Sequence, residues 1–173
     1  MASLRIADLE QLLRDGLVKL EITGGVPTWE VSPGSRHQRT IDRIRTSIIP
    51  QPDSGAGCEC AHLSDVYVRF ADGSIKRPDI AIYYEEPPDQ DEVLDIIPRV
   101  VIEVISPGYE YKDLMLNPPF YLAQGVGDVL IVDPRAGIVS HFRTTGVQTL
   151  RTPVTVDLLC GCRCRIPQSG KVG

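Results

Sequence analysis

The sequence predicts an α/β protein, of the α+β kind, in which helices pack against one mixed β-sheet. Two observations carry this prediction: strand-like aliphatic runs are separated by turn residues, and segments with helical spacing lie before and between them. The chain has 173 residues, of which 42% are hydrophobic and 24% charged, so it can bury a sizeable core. We expect one domain over residues 1–173.

The first third of the chain predicts a helix, a hairpin and a second helix. The pair Gly24-Gly25 separates two strand-like runs, which is typical of a tight hairpin turn. Ser35 is a favoured N-cap, and isoleucines recur on one side of the segment that follows it. The predicted segments are a helix over 4–13, strands over 18–22 and 26–31, and a helix over 35–49.

The remainder of the chain predicts most of the sheet. The run 100–105 is almost wholly aliphatic, which is typical of a strand buried on both faces. Pro118 and Pro119 exclude a continuous helix through that point, but Asn117 is a favoured N-cap and proline suits the first helical turn. The predicted segments are strands over 66–70, 79–84, 100–105 and 129–132, a helix over 118–124, a hairpin over 138–143 and 147–150, and a strand-like tail over 154–166.

Charge and hydropathy restrict the classes of function. No apolar run approaches the roughly 20 residues of a membrane span, and the N-terminus lacks the apolar stretch of a signal peptide, so we expect a soluble cytoplasmic protein. The formal net charge of −5 disfavours a protein that coats phosphate backbones with a basic surface. A metal-dependent nuclease remains compatible with this charge, because a bound cation neutralises its carboxylates.

The five cysteines form two clusters with alternate spacing: Cys58 and Cys60, then Cys160, Cys162 and Cys164. One interpretation is a zinc site built from both clusters, although the usual spacing of two to four residues between ligands is absent. The other is a strand that places the last three cysteines on one apolar face, where a buried cysteine acts as a small hydrophobic residue. Both interpretations are compatible with the sequence.

Two carboxylates stand out because of the strands that carry them. Glu103 is flanked on both sides by aliphatic residues, where a buried charge is costly unless it is paired or binds a metal. The alternative for Glu103 is an ion pair with Arg77 or Arg99, and for Asp79 it is ordinary turn chemistry after Pro78. If their strands are neighbours, the two carboxylates meet and can bind Mg²⁺ with room for water and a phosphate.

The same region resembles a known nuclease family. Four stretches of the chain are similar, in their order and spacing, to the Uma-type putative restriction endonuclease family, within the PD-(D/E)XK nuclease superfamily. The similarity covers roughly residues 21–134. His37-Gln38 also matches the family's pattern. The stretches are RPDIAI (77–82), PRVVIEVISP (98–107), KDL (112–114) and VLIVDP (129–134).

The resemblance implies a restriction-endonuclease-like core in which Asp79 and Glu103 are catalytic and bind Mg²⁺ or Mn²⁺. The implied reaction is hydrolysis of a nucleic-acid phosphodiester bond by a metal-activated water, on DNA in preference to RNA. Restriction-type nucleases often cut both strands as dimers, so the resemblance also implies a homodimer.

The catalytic lysine implied by the resemblance is missing from both expected positions, which hold Ile105 and Asn117. Lys112 is the nearest substitute and is predicted to support the attacking water, with Lys76 as the second candidate, because a lysine stem is long and flexible. The alternative function is a catalytically lapsed member of the same fold that acts as a binding or regulatory module.

The predicted helix over 35–49 also carries basic residues. Arg36, Arg39 and Arg43 recur at three- and four-residue steps, and the nuclease hypothesis assigns them to nucleic-acid phosphates. The alternative is an ordinary solvent-exposed helix face. His37 either assists the site or makes a local hydrogen bond near the helix start.

Overall fold

The computed structural model describes residues 11–52 and 57–168. Residues 11–14 are helical, and the rest of the helix predicted over 4–13 lies outside the described residues. The helical elements are α1 (Ser35–Arg45), a π-helical turn (Lys112–Leu116) and α2 (Asn117–Ala123). The strands are β1 (Val18–Thr23), β2 (Val26–Val31), β3 (Ile49–Pro50), β4 (Ala61–Leu63), β5 (Val68–Arg69), β6 (Ile75–Lys76), β7 (Ile80–Tyr83), β8 (Val100–Val104), β9 (Asp128–Asp133), β10 (Ile138–Arg143), β11 (Gly146–Arg151), β12 (Val154–Asp157) and β13 (Cys162–Ile166).

A six-stranded mixed sheet forms the centre of the fold, with strand order β11-β10-β9-β8-β7-β4. The β8–β9 pair is parallel, and the other neighbouring pairs are antiparallel. Because parallel neighbours need a crossover, the chain between β8 and β9 leaves the sheet and forms the π-helical turn and α2. The predicted mixed sheet with flanking helices is therefore confirmed.

Both faces of the central sheet are buried, as the aliphatic run 100–105 predicts. On one face, side chains of β7, β8, β9 and β10 pack with α1 and with β12 and β13. On the other face, Val101, Val129 and Ile131 pack with Tyr121 of α2. Glu103 lies between two residues of the first face, Ile102 and Val104, so its side chain points to the second face.

Two smaller sheets flank the central one. The predicted hairpin forms β1 and β2, and it extends into a four-stranded sheet of order β2-β1-β6-β5. The C-terminal strands form a three-stranded sheet of order β12-β13-β3. Strands β3, β4 and β6 are only two or three residues long and were not predicted from the sequence. Such short strands are defined by their partners rather than by their own pattern.

The helices differ from the prediction at their ends. Gly34 takes the N-cap position of α1, and the helix ends at Arg45, because residues 49–50 leave it to pair with β13. Asn117 is the first residue of α2 rather than its N-cap, since the π-helical turn leads directly into the helix. No helix in the described part of the chain is long and apolar enough to cross a membrane.

The cysteines lie in the core between the central sheet and the C-terminal sheet. Cys162 and Cys164 alternate with exposed or half-buried neighbours in β13, which confirms the predicted apolar face of that strand. Cys160 is buried in the turn before the strand. A disulfide joins Cys60 to Cys162, a pairing that the sequence analysis did not identify.

Asp128, at the start of β9, is fully buried and has partners on both carboxylate oxygens. Its Oδ1 contacts His141 Nε2 at 2.7 Å and Arg143 Nε at 2.5 Å, and its Oδ2 accepts a hydrogen bond from the Leu159 backbone N–H at 2.7 Å. Burial by itself raises the pKa of Asp128, but these partners outweigh it and hold the pKa below its ordinary value. The side chain thus ties β9 and β10 to the turn that precedes β13.

Replacement of Asp128 by asparagine removes this charge while keeping the side-chain shape. We expect the free energy of unfolding to fall by roughly 3–5 kcal/mol, the usual cost of breaking a buried ion pair, in urea denaturation at neutral pH. Because the folded-state pKa of Asp128 is lowered, its stabilisation is present above the ordinary aspartate pKa and is lost as pH falls through the lowered value. The difference in the free energy of unfolding between the wild type and Asp128→Asn should therefore become smaller at acidic pH.

Asp157→Asn is the matched control, because Asp157 forms a surface ion pair with Arg163 at 2.9 Å. We expect that change to alter the free energy of unfolding by no more than about 0.5 kcal/mol. Equal effects of the two substitutions would show that the Asp128 network does not hold the β9–β13 region together.

Candidate active site

Two carboxylates face each other across the β7–β8 pair. Ile80 is opposite Ile102 in this antiparallel pair, so Asp79, directly before β7, comes opposite Glu103 on the same face. The Asp79 backbone N–H donates to Glu103 Oε2 at 3.1 Å, and the Val104 backbone N–H donates to Asp79 Oδ2 at 2.7 Å. Strands β7 and β8 are therefore neighbours, which is the condition under which Asp79 and Glu103 were predicted to meet.

Glu103 is buried and receives a second donor from α2. The Tyr121 hydroxyl donates to Glu103 Oε1 at 2.8 Å. Burial is the main cause that raises the pKa of Glu103 to about 8; Lys19 acts in the opposite direction, and the neighbouring carboxylates of Asp79 and Glu21 raise it further. Burial, with the neighbouring carboxylates of Glu103 and Glu21 as the next causes, places the pKa of Tyr121 well above its ordinary value.

The β1–β2 hairpin supplies the positive charge nearest to Asp79. Lys19 Nζ lies 3.9 Å from Asp79 Oδ1 and 3.8 Å from Glu21 Oε1, and its side chain is 11% exposed. Burial by itself lowers the pKa of Lys19, but Glu103, Asp79 and Glu21 together raise it above its ordinary value. The amino group is thus held as an ammonium ion beside the carboxylate pair.

Glu21 organises the other lysines of the region. Its carboxylate accepts hydrogen bonds from Lys112 Nζ at 2.9 Å, from Lys76 Nζ at 3.5 Å and from the Arg77 backbone N–H at 2.9 Å. Burial opposes ionisation of Glu21, but Lys19, Lys112 and Lys76 together lower its pKa to about 2.

Lys112, the lysine predicted to support the attacking water, contacts Glu30 in addition to Glu21. It lines the same cleft as Asp79 and Glu103, but the ion pairs described for its ammonium go to the two glutamates of the hairpin. The lysine that pairs with Asp79 is Lys19, which the sequence analysis did not consider.

Asn117 occupies the helix position where the family resemblance implies a lysine. It is buried, its Oδ1 accepts a hydrogen bond from Lys76 Nζ at 3.3 Å, and its Nδ2 donates to Asp113 Oδ1 at 3.2 Å. Lys76, on β6, therefore places an ammonium beside the side chain of Asn117. The neutral side chain of Asn117 therefore lies between the charged groups of Lys76 and Asp113.

The first turn of α1 closes one side of the site. His37 Nε2 lies 3.0 Å from Asp79 Oδ2, and the other ring nitrogen, Nδ1, is buried without a partner among the described residues. The contact favours the interpretation in which His37 takes part in the site. Arg36, Arg39 and Arg43 are all exposed, as the helix pattern predicts.

The carboxylates open into a narrow cleft that continues into a wider groove. The cleft has a volume of about 20 Å³, enough for about one water molecule. The groove measures about 280 Å³ and shares His37 and Ser106 with the cleft. Arg36 and Arg135 line the groove, so exposed cations lie along the approach to the carboxylates.

The residues that the sequence analysis missed lie mainly on the hairpin. In β1, lysine and glutamate alternate with Val18, Leu20 and Ile22, a pattern that normally places the charges in solvent. The structure has the opposite orientation: Glu21 is 2% exposed, whereas Trp29, opposite Leu20, is 48% exposed. This inversion could not be predicted from the sequence, because apolar residues at alternate positions of a strand, such as Trp29, normally point to the core.

Comparison with known proteins identifies the fold and the family of the chain. A solved structure of a putative nuclease belonging to DUF820, from Anabaena variabilis ATCC 29413, superposes with a TM-score of 0.60 at 17% identity, over 79% of each chain. At that identity the similarity establishes the restriction-endonuclease-like fold. No curated protein matches the chain. The profile of the Uma2 family, described as "Putative restriction endonuclease", matches residues 6–160, and the chain therefore belongs to that family.

Proposed function

We propose that the protein is a metal-dependent endonuclease in which Asp79 and Glu103 hold Mg²⁺ or Mn²⁺. The observation that carries this proposal is that the buried Asp79 and Glu103 lie opposite each other on neighbouring strands, each carboxylate accepting a backbone N–H across the strand pair, and that both line one cleft. Membership of the family supports action on nucleic acid. The reaction is hydrolysis of a phosphodiester bond by an activated water.

The donor atoms suit a hard divalent cation. Asp79 and Glu103 offer carboxylate oxygens, and the contact described for Asp79 Oδ1 is Lys19 Nζ at 3.9 Å. Mg²⁺ in nuclease-type sites uses one or two carboxylates and completes its shell with water and substrate phosphate. Bound there, such an ion would supply an acidified water and neutralise negative charge on the phosphate.

The surrounding side chains have complementary roles in the proposal. His37 Nε2 and the Val104 N–H hold one oxygen of Asp79, and the Tyr121 hydroxyl and the Asp79 N–H hold Glu103, so both carboxylates are oriented before substrate arrives. Lys19 places a permanent positive charge beside them and stabilises the negative charge that develops on the phosphate. Lys112 is the second lysine candidate.

The groove beside the cleft is the proposed path of the nucleic acid. Arg36 and Arg135 contact backbone phosphates there, which is the usual role of exposed arginines at such interfaces. DNA as the substrate, a cytoplasmic location and a homodimer that cuts both strands complete the proposal, and they rest on the resemblance to restriction-type nucleases.

A second candidate is a lapsed nuclease that binds nucleic acid or regulates another protein without cleaving. Ile105 and Asn117 at the two expected lysine positions favour it, together with the engagement of Lys76 and Lys112 by Glu21. The two candidates predict different results in a cleavage assay and the same result in a metal-binding assay.

The metal site is tested by Mn²⁺ calorimetry and plasmid nicking on the wild type and on the double variant Asp79→Asn, Glu103→Gln. We expect the wild type to bind Mn²⁺ and to nick the plasmid, and the variant to lose both, because its neutral amides are poor ligands for a hard cation. The matched control is Asp91→Asn, Glu92→Gln, an adjacent pair on an exposed loop, which should behave as the wild type. Binding without nicking in the wild type would support the lapsed module, and no specific binding would overturn the metal site.

The lysine assignment is tested by comparing Lys19→Met with Lys112→Met in the same nicking assay. We expect Lys19→Met to slow nicking by about 100-fold or more, the usual loss when one charge-stabilising group is removed, while Mn²⁺ binding is retained. Lys112→Met should slow nicking by less than about 10-fold, since its ammonium pairs with Glu21 and Glu30. The reverse order of effects would assign the role to Lys112. Retained Mn²⁺ binding shows that each variant is folded.

A further inference from the structure

The two cysteine clusters, about a hundred residues apart in the chain, meet in the folded protein. Cys60 is bonded to Cys162, and Cys58 Sγ lies 3.3 Å from Cys162 Sγ. The sulfur atoms of Cys58, Cys160 and Cys162 all lie within 4.8 Å of one another. Four sulfur atoms from two Cys-x-Cys segments therefore occupy one small volume.

Each segment uses a similar local geometry. The Cys60 backbone N–H donates to the sulfur of Cys58 at 3.4 Å, and the Cys162 backbone N–H donates to the sulfur of Cys160. Gly161, between the second pair, has a φ of 90°, and Cys60 itself has a φ of 55°. These left-handed conformations turn each segment back on itself, so both side chains of a pair reach the same point. Hydrogen bonds from backbone N–H groups favour sulfur in its charged form.

The site is closed and apolar. The four cysteines are no more than 8% exposed and belong to the core that joins the central and C-terminal sheets. A buried thiolate is costly unless a cation accompanies it. Structural zinc sites have this character: four protein ligands, no open position and little solvent.

We propose that Cys58, Cys60, Cys160 and Cys162 bind one zinc-class ion when the Cys60–Cys162 disulfide is reduced. Four thiolates at about 2.3 Å from a tetrahedral zinc ion lie about 3.8 Å from one another. The sulfur atoms of Cys58, Cys160 and Cys162 are already within 4.8 Å of one another, and reduction of the disulfide frees the sulfur of Cys60 to move to that separation. A phosphine reductant and one water convert the disulfide to two thiols and the phosphine oxide. Metal binding then releases the protons of the four thiols.

This site differs from the proposed nuclease centre in place and in chemistry. Glu103 points to the opposite face of the central sheet from the core that contains the cysteines, and its donors are oxygen rather than sulfur. The zinc-class ion would link the segment before β4, at the edge of the central sheet, to the turn before β13. Its role is structural, and the disulfide replaces it under oxidising conditions.

Cobalt(II) is the probe, because tetrahedral cobalt–thiolate sites absorb strongly in the visible range. The full chain is reduced with a phosphine, desalted without oxygen and titrated with Co²⁺. We expect an intense visible band that saturates at one ion per chain and disappears when Zn²⁺ is added in equal amount. The variant Asp79→Asn, Glu103→Gln should retain the band, which separates this site from the nuclease centre.

Three cysteine variants make the assignment specific. Cys58→Ser and Cys160→Ser should each weaken Co²⁺ binding by at least about 100-fold, because each removes one of four ligands. Cys164→Ser is the matched control: it also changes a buried cysteine of this core, but Cys164 lies outside the group of converging sulfurs, and the band should persist. Circular dichroism of each variant before titration shows whether it is folded, and the two ligand variants provide independent tests.

Oxidation supplies the second readout. Diamide takes two electrons and two protons from two cysteines and becomes a hydrazine, so its addition should abolish the cobalt band and restore the Cys60–Cys162 disulfide in a peptide mass map. The proposal is overturned if the reduced wild type gives no thiolate band, if the band survives in both Cys58→Ser and Cys160→Ser, or if cobalt stays bound after the disulfide has formed.

Discussion

Two carboxylates buried side by side, Asp79 and Glu103, impose the strongest constraint on this structure. Like charges in a poorly solvated position repel each other, and each loses its hydration. The protein compensates with donors from four directions: the backbone of β7 and β8, His37 of α1, Tyr121 of α2 and Lys19 of β1. The raised pKa of Glu103 shows that the compensation is incomplete. A divalent cation bound by the pair would supply the remaining positive charge.

The charged hairpin follows from the same constraint. Lys19 has to reach Asp79, so the β1–β2 hairpin turns its charged face inward and leaves apolar residues of β2, Trp29 and Val31, exposed. Glu21 then balances three lysines, two of which come from elements far along the chain. Removal of Glu21 would leave the buried ammonium of Lys76 without a carboxylate partner among the described residues, which is more costly than the loss of the pair itself. The sheet β2-β1-β6-β5 is thereby fastened to the π-helical turn and α2 through ion pairs, in addition to the apolar packing of Val68 in β5 against Tyr121 of α2.

The opposite side of the central sheet is held by a different kind of chemistry. Asp128 accepts a hydrogen bond from the backbone N–H of Leu159, which positions the turn that carries Cys160 and leads into Cys162 of β13. That turn meets the segment of Cys58 and Cys60 in the core. Carboxylate oxygens on one face and thiol sulfurs on the other suit different metal ions, since hard cations select oxygen and zinc-class ions accept sulfur. The fold thus separates two candidate metal sites by a single layer of strands.

The sequence alone was enough to predict the helices and strands whose apolar residues follow a regular spacing, and to single out Asp79 and Glu103 as candidate site residues. The aliphatic runs that became β8 and β9, the hairpin around Gly24-Gly25 and the isoleucine face of α1 were each predicted, because burial on one or both faces imposes a regular spacing of apolar residues. Glu103 was identified because a glutamate within such a run is costly without a partner.

Tertiary structure decided everything that depends on which segments meet. The lysine that pairs with Asp79 is Lys19, sixty residues earlier in the chain, and nothing local distinguishes that lysine from a solvent-exposed one. The inward orientation of Glu21 and the contact of Asn117 with Lys76 arise only once the hairpin and α2 enclose the site. The two cysteine clusters likewise converge through the pairing of distant strands. Such contacts join residues far apart in sequence, and their energy comes from the enclosed geometry rather than from any local pattern.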